Sequence, residues 1–255
     1  MGRITDYPLL VFALSFVAMW LSAWSGAHIL RKRLKLQEGV REDFGLVLAA
    51  TLTLLGLIIG FSFSMATSRY DQRKNYEEAE ANAIGTEWVR AELLPAADAA
   101  KARALLKSYT EQRILYYTTS DLERVREIDA RTTQLQAELW SAIRPAARAN
   151  PTPVMALVVS GMNDVLNSQG YTQAAWWNRI PAAAWVLMVV IAMCCNVLVG
   201  YRVHDFKREA TLLMILPLVV SISFLLIADI DSPRGGLIRV SPQNLAAFSE
   251  SLRAP

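Results

Sequence analysis

The stretch GLIIGFSFSMATSRYDQRKNYEEAEANAIG, from Gly56 to Gly85, passes from an apolar segment into a charged one without a proline. Its apolar part ends at Ala66, and beyond it Arg73 and Glu77 stand four residues apart. Such oppositely charged pairs stabilise a water-exposed helix by only about 0.2–0.5 kcal/mol each, so they permit a helix to continue rather than create it. The stretch therefore predicts one helix that leaves a membrane and continues into water.

The apolar residues of the whole chain are concentrated in long runs. Of its 255 residues, 53% are hydrophobic and yet 19% are charged, which is hard to reconcile with a single soluble core. Four runs contain no Asp, Glu, Lys or Arg, and each is close to the roughly 20 residues that cross the hydrocarbon core of a bilayer. They are residues 7–30, 44–66, 182–201 and 211–228. We therefore expect an all-α membrane protein with four transmembrane helices.

These spans divide the chain into four parts. The parts are residues 1–66 with spans 1 and 2, residues 67–181 as an extramembrane domain inserted between spans 2 and 3, residues 182–228 with spans 3 and 4, and residues 229–255 as a C-terminal tail. Apolar residues of the inserted domain recur at spacings of three and four, as they do from Leu122 to Ile143. This period predicts that the inserted domain is helical throughout.

Local signals predict where the helices of the inserted domain begin and end. Ser120 to Glu123 (SDLE) has the pattern of a capping box, which starts a helix. RPAARANPTP, residues 144–153, predicts a linker, and NSQGY, residues 167–171, predicts a break in the chain. The tryptophans of WWNRIP, residues 176–181, predict an aromatic belt at the membrane surface.

The basic residues of the short loops indicate the orientation of the protein. The loop between spans 1 and 2 and the loop between spans 3 and 4 lie on one side, and Lys and Arg accumulate in cytoplasmic loops. The basic residues are Arg31, Lys32, Arg33, Lys35 and Arg41 in the first loop and Arg202, Lys207 and Arg208 in the second. We therefore expect the inserted domain and both termini to be extracytoplasmic.

The sequence lacks the patterns that are typical of enzymes. It has no Gly-rich phosphate-binding loop, no Gly-x-Ser-x-Gly motif and no histidine near a nucleophile. The two histidines, His28 and His204, lie at the ends of different spans, and Cys194 and Cys195 are adjacent within the third span. The net charge of +3 comes mostly from the basic loops. We therefore expect no catalytic residue, no metal, no cofactor and no nucleic-acid partner.

The second span carries a face of small, apolar and hydroxyl-bearing residues. They stand at helical spacing and are Thr53, Leu57, Gly60 or Phe61, and Ser64. One explanation is close helix packing, because Gly56 and Gly60 would let backbones approach and the hydroxyls would bond across helices. The other is a pore, in which apolar side chains form a neck that gates by dewetting. The spacing alone leaves both explanations open.

Two longer motifs resemble a known family. They are LLGLIIGFSFSMATSRYDQRK…EEAEANAIGTEWVRAELLP, within residues 54–95, and DIDSPRGGLIRVSPQNL, residues 229–245. They are similar to the signature of bacterial four-span proteins labelled bestrophin-like, and the resemblance covers most of the chain. It implies a multi-pass protein of the bacterial cytoplasmic (inner) membrane.

A shorter pattern resembles the bestrophins themselves. Gly60-Phe61, followed nine residues after the glycine by Arg69-Tyr70, is similar to the neck helix of these pentameric anion channels. The resemblance implies a pentamer that conducts an inorganic anion such as chloride. It also implies that three side chains narrow the neck, and these would be Thr53, Leu57 and Phe61. Only Phe61 keeps the aromatic character of the family, and Arg69 is expected at the pore mouth.

The tail motif has two explanations of its own. Asp229 and Asp231 end the fourth span on the outer side, and SPRGG supplies a turn after them. Arg234 or Arg239 could then pair with the aspartates or with the inserted domain, in a structural clasp between the tail and that domain. Alternatively, the two aspartates belong to an ion-attracting vestibule at the pore mouth.

Two functions follow from these features. The first is an oligomeric ion channel in which span 2 surrounds an axis, with Thr53, Leu57, Gly60, Phe61 and Ser64 lining the pore. The second is a non-conducting membrane scaffold or sensor whose extracytoplasmic helical domain binds a partner. A continuous helix that runs from span 2 into water suits both functions, so the sequence does not separate them.

Overall fold

The computed structural model describes residues 4–33, 40–203 and 210–253. Throughout these residues the regular structure is helical, without a strand, which confirms the all-α prediction. The helices are α1 (Pro8–Ser25), α2 (Arg31–Arg33), α3 (Val40–Arg90), α4 (Ala96–Thr118), α5 (Leu122–Ala149), α6 (Pro153–Trp177), α7 (Ala182–Arg202), α8 (Ala210–Asp231) and α9 (Gln243–Ser251). Short 3-10 turns at Ile4–Asp6 and Ala91–Leu93 and a π-helical turn at Gly26–Leu30 complete them.

The chain forms two compact units. We call Met1–Arg69 together with Arg179–Arg239 the membrane unit, and Tyr70–Asn178 together with Val240–Pro255 the helical unit. The tail is therefore divided, since α9 belongs to the helical unit although the segment before it belongs to the membrane unit.

The described residues contain four helical stretches that are long and apolar enough to cross a membrane. They are Pro8–Arg33, Phe44–Leu93, Pro153–Arg202 and Leu213–Asp231. They include the four predicted runs except for a few residues at the ends of the first and last. The prediction of four transmembrane helices is confirmed.

Close backbone approaches fix the packing of the membrane unit. Helix α1 packs against both α7 and α8. A Cβ atom at Gly26 would collide with the backbone of Val197, and one at Gly200 would collide with the backbone of Ala23. Small residues allow this proximity, which is the usual basis of helix association in membranes. The close crossing of the first and third spans therefore requires glycine at both positions.

Helix α3 runs without interruption for 51 residues, as the opening stretch predicts. At a rise of 1.5 Å per residue its length is about 75 Å. Its last third was expected to be water-exposed, but Arg73 and Glu77 are buried in the helical unit. These two charged side chains therefore pack within that unit and do not solvate an isolated helix.

The core of the helical unit combines α4, α5, α6, α9 and the end of α3. The stripe predicted to be buried on α5 starts with Leu122 and Val125, but Leu122 is 55% exposed and Val125 is half-buried. The rest of the stripe is buried as predicted, at Ile128, Thr132, Leu135, Leu139 and Ile143. The start of α5 differs from the prediction, because Asp121 rather than Ser120 caps it. The Asp121 carboxylate accepts a hydrogen bond of 3.0 Å from the Glu123 amide. If Ser120 were the cap, Asp121 would be the first helical residue and could not make this capping bond.

Two predicted interruptions of the helices are wrong. Helix α5 continues through Pro145, because Ala142 and Ala146 extend its buried stripe. The stability gained from this packing outweighs the loss of the backbone hydrogen bond that proline cannot donate. The break between α5 and α6 is therefore short, and Thr152 caps α6 by accepting a 3.2 Å bond from the Met155 amide. Residues 167–171 lie inside α6, where burial of neighbouring side chains outweighs the roughly 1 kcal/mol penalty of Gly170.

The two adjacent tryptophans have different roles. Trp176 is buried in the helical unit, with its ring centre 5.0 Å from that of Tyr116 and 5.4 Å from that of Tyr117. The aromatic-belt prediction is therefore wrong for Trp176, which is a core residue. Trp177 is 71% exposed and is the only one of the pair that is free to meet a membrane surface.

Candidate functional site

The predicted pore face of α3 is uncovered in the single chain. Leu57 is 54% exposed and Phe61 is 62% exposed. The remaining members of the face, which are Thr53, Gly60 and Ser64, are exposed too. At 3.6 residues per turn, these five positions fall within a sector of about 100° on one side of the helix. The structure therefore brings the five predicted residues together on one open face.

The opposite side of α3 is the buried one. Leu48, Leu55, Ser62 and Ala66 are buried, and their spacing centres them about 180° from the predicted pore face. Only 11% of the apolar window in this helical stretch is buried, against 50% in the stretch that contains α8. The second span thus attaches through a narrow stripe and leaves most of its circumference open.

Packing within one chain does not explain Gly56 and Gly60 of this span. Nothing in the described structure lies within 4 Å of a Cβ built at Gly56 or at Gly60. The Thr53 hydroxyl donates to the Ala49 carbonyl of its own helix at 2.9 Å, so it makes no bridge to another span. The spacing left two explanations open, close helix packing and a pore lining. Helix packing now remains possible for this face only as contact with a second molecule.

Arg69 does not lie on this face. Its position on α3 is about 135° away from the centre of the predicted pore face. It is half-buried, and its Nη1 atom is enclosed by the protein. The angle of Arg69 on the helix therefore turns it toward the buried stripe, and its place at a pore mouth stays a prediction.

Within the helical unit, acidic and amide side chains of α3 recur at the spacing of the predicted pore face. Asp71, Asn75, Glu78 and Asn82 follow at the same helical phase as Leu57 and Ser64, and all four are exposed. The two charged members of this set, Asp71 and Glu78, are both acidic.

Asp229 is bound by backbone amides of the tail. Its two carboxylate oxygens accept hydrogen bonds from the amides of Leu237 at 2.7 Å and Ile238 at 2.8 Å. Gly236 lies so close to Asp229 that a side chain there would collide with the Asp229 backbone. These contacts give Asp229 a structural role, which is to hold the start of the tail against the end of α8.

Asp231 is bound by an arginine from the aromatic-rich motif. Its carboxylate is 1% exposed and accepts bonds from Arg179 Nε at 3.0 Å and from the Ile180 amide at 3.1 Å. Arg179 also donates to Asp6 at 2.7 Å. The arginine thus joins the first turn of the chain to the end of α8, within the membrane unit.

The helical unit contains a buried ionic cluster that sequence analysis missed. Glu80 and Arg113 form an ion pair with both side chains fully buried. Tyr117 and Thr172 also donate hydrogen bonds to Glu80, at 3.2 Å and 3.1 Å. Burial alone would lower the pKa of the Arg113 guanidinium. The attraction of the adjacent Glu80 is stronger than this effect, so the pKa is raised. Burial, reinforced by Glu80, also raises the pKa of Tyr117, so Arg113 stays charged and the Tyr117 hydroxyl stays neutral.

A second buried carboxylate holds the tail helix. Glu77 accepts a bond from the Asn244 side chain at 2.6 Å and one from the Leu245 amide at 3.0 Å. The signal in the sequence was the phase of the charges. Glu77, Glu80 and Glu87 continue the period of the buried stripe at spacings of three and seven, which exposed surface charges need not do.

The described residues offer no metal site, since they contain no group of three His, Cys, Asp or Glu side chains that could hold an ion. Cys194 is exposed and Cys195 is buried, and neither forms a disulfide. The basic-loop residues Lys35, Lys207 and Arg208 lie outside the described residues. Arg31, which is described, donates to the Val203 carbonyl at 2.5 Å, so the two short loops begin side by side.

Comparison with solved structures finds the same fold in bacterial proteins. A crystal structure of a bacterial bestrophin homologue from Klebsiella pneumoniae, obtained by zinc phasing, has a TM-score of 0.60 and 18% identity, over 96% of this chain and 95% of that one. A point mutant of such a homologue from the same organism has a TM-score of 0.63 and 16% identity, over 97% of this chain and 99% of that one. No curated protein matches the chain. A family model described as Bestrophin-like domain matches residues 9–245. This match covers nearly the whole sequence, and the chain therefore belongs to the Bestrophin-like family.

Proposed function

We propose that copies of this protein assemble around an axis and form an ion channel, with α3 innermost. The observation that carries the proposal is the open face of α3, which lies opposite the stripe that attaches this helix to its own chain. A membrane helix with hydroxyls, glycines and large apolar side chains on one uncovered face suits a shared lumen better than lipid alone. The family and its fold support the proposal, and the resemblance to bestrophins suggests five copies.

In this channel Leu57 and Phe61 form the constriction. They lie one turn apart on the open face, so each would contribute a ring of apolar side chains around the axis. Thr53 and Ser64 border these rings with hydroxyl groups that solvate an ion on either side. Narrow apolar rings gate by dewetting, so the resting channel conducts poorly. Ions and lipid are its partners, and the protein acts without catalysis or a cofactor.

The sign of the conducted ion has two candidates. The resemblance to bestrophins favours an anion such as chloride, and the expected positive charge was that of Arg69. The opposite choice is supported by helical spacing, because Asp71 and Glu78 repeat the spacing of Leu57 and Ser64 while Arg69 is turned away from the open face. We therefore propose a cation channel as the second candidate.

Replacing Phe61 with alanine tests the constriction. We expect wild-type protein to be oligomeric and nearly silent in planar bilayers, and Phe61→Ala to raise the current by about tenfold or more, because a wider ring lowers the dewetting barrier. Phe63→Ala is the matched control, since Phe63 is also exposed on α3 but about 100° from the centre of the open face. Its current should match that of the wild type.

Three outcomes would contradict the channel. A monomer in both detergent and nanodiscs leaves no axis for α3 to surround. A folded oligomer that is silent in both wild-type and Phe61→Ala forms indicates the non-conducting scaffold or sensor. Equal increases in Phe61→Ala and Phe63→Ala place the effect outside the proposed constriction.

We further propose that the protein lies in the bacterial inner membrane with its termini and helical unit outside the cytoplasm. In a background without Cys194 and Cys195, single cysteines at the exposed positions Ser120 and Ser251 should react with an impermeant thiol reagent in intact cells. A cysteine at Lys32, in the first basic loop, should react only after lysis. The reverse pattern would invert the proposed orientation.

A further inference from the structure

Glu87 is a buried carboxylic acid in a notch between two helices of the helical unit. It lies near the end of α3, well beyond the apolar segment that ends at Ala66, and its side chain is 1% exposed. Among the described residues, no hydrogen-bond partner reaches its Oε2 atom. A carboxylate with a buried, unpartnered oxygen carries a large desolvation penalty, so the packed state favours the protonated acid.

The notch exists because α6 has a glycine opposite this carboxyl group. A Cβ atom at Gly161 would collide with Glu87 Oε2 and would lie 2.5 Å from Arg90 Nη1. Arg90 in turn donates to the Leu157 carbonyl of α6 at 3.3 Å. The end of α3 is thus held to α6 by side chains that fill the space left by Gly161.

Few charged groups act on Glu87. Arg90, on α3 itself, lowers the pKa of the carboxyl group, and Asp164, on α6, raises it, but burial dominates and raises the pKa to about 8. On α4, Arg103 reaches this end of α3 through the Trp88 carbonyl at 3.2 Å. Its guanidinium is paired with Glu92, so it does not supply a counter-charge to Glu87.

We propose that Glu87 and Gly161 form a pH-sensitive contact, which holds α3 against α6 while the carboxyl group is protonated and loosens when it ionises. The driving force is the hydration of the charged form, which is available only when the notch opens. This contact lies wholly within the helical unit, and it does not depend on whether the protein conducts ions.

The direction of the pH effect follows from the raised pKa. The contact has its full stability below the ordinary carboxyl pKa of about 4.5, loses stability as the pH rises, and reaches its minimum above about pH 8. If opening restores the ordinary pKa, the equilibrium constant for opening rises by about 50-fold between pH 6 and pH 8. Partial hydration of the open state would reduce this factor, and an increase of about tenfold is still expected.

Hydrogen–deuterium exchange of the full-length protein in detergent tests the proposal. The exchange rates of the amides of residues 157–165 are first corrected for the pH dependence of intrinsic exchange. The equilibrium constant for opening derived from them should be at least about tenfold larger at pH 8 than at pH 6. Glu87→Gln cannot ionise and should show no such increase. Glu111→Gln, which removes an exposed carboxylate of the same unit, should retain the wild-type increase.

Asp164→Asn supplies a second test that leaves Glu87 in place. Since Asp164 raises the pKa of Glu87, its removal should move the pH at which opening levels off to a lower value. If Glu87→Gln does not fold, Asp164→Asn alone tests whether ionisation of Glu87 opens the contact. A pH-independent wild type, an unchanged increase in Glu87→Gln, or an unmoved profile in Asp164→Asn would overturn the proposal.

Discussion

Arg113→Met is expected to destabilise the helical unit by about 3–5 kcal/mol, because it leaves Glu80 charged and buried without its counter-ion. Glu80 would retain the hydroxyls of Tyr117 and Thr172, but two neutral donors do not replace a guanidinium. Arg113 also lies over the Tyr116 ring, with 4.5 Å between Cζ and the ring centre. Thermal unfolding in detergent, followed by circular dichroism, should show a lower Tm.

The double variant Glu80→Gln/Arg113→Met distinguishes the ion pair from simple packing. Removing both charges avoids the unpaired carboxylate, so the double variant should be more stable than Arg113→Met alone. The coupling between the two positions should reach about 1–3 kcal/mol. Arg124→Met is the control, because Arg124 pairs with Glu127 at an exposed site where such pairs contribute at most about 1 kcal/mol. Additive losses at Glu80 and Arg113 would contradict a coupled pair.

The sequence predicts the spans and the long helix because both depend on local composition. A charge-free run of adequate length must be helical in lipid, since every backbone amide and carbonyl needs a partner within the segment. The continuation of α3 to Arg90 follows from the absence of proline between Gly56 and Gly85. The periodic stripe of α5 is likewise a local pattern, and Leu135 and Leu139 are buried as it predicts.

The errors arise where tertiary packing overrides a local signal. Pro145 and Gly170 are ordinary helix breakers, but both lie in helices whose neighbouring side chains are buried. Trp176 belongs to a motif typical of membrane surfaces, and yet Tyr116 and Tyr117 enclose it. Tyr116 and Tyr117 lie far from Trp176 along the chain, so no short window of the sequence contains these contacts.

The candidate site shows the same division between local and long-range information. The positions of Thr53, Leu57, Phe61 and Ser64 on one face follow from helical spacing, but only the structure shows that this face is the uncovered one. Arg69 was assigned from a short sequence match, whereas its angle on the helix turns it toward the buried stripe. The aspartates at the end of α8 were expected to attract ions or form a clasp, and their partners, Arg179 and the tail amides, favour a structural role.

If the proposed channel is correct, neutralising Asp71 and Glu78 should change its ion selectivity more than any change at Arg69. Carboxylates repeated around an axis concentrate cations in the water that leads to the constriction. Reversal potentials measured in a KCl gradient should show a preference for potassium in a conducting Phe61→Ala background. Asp71→Asn/Glu78→Gln in that background should lower the cation-to-anion permeability ratio by about tenfold. Lysine at both positions should make the channel favour chloride.

Ionic strength and two further variants separate this electrostatic effect from a change in structure. The Debye length falls from about 10 Å at 0.1 M salt to about 3 Å at 1 M, so the difference between the variants should shrink in concentrated KCl. Glu127→Lys, which alters an exposed charge on α5, should leave the reversal potential unchanged. Arg69→Glu should have little effect, because Arg69 lies on the other side of α3. A channel that prefers chloride and loses this preference in Arg69→Glu would show instead that the arginine faces the lumen, and the open face of α3 would then not be the lining.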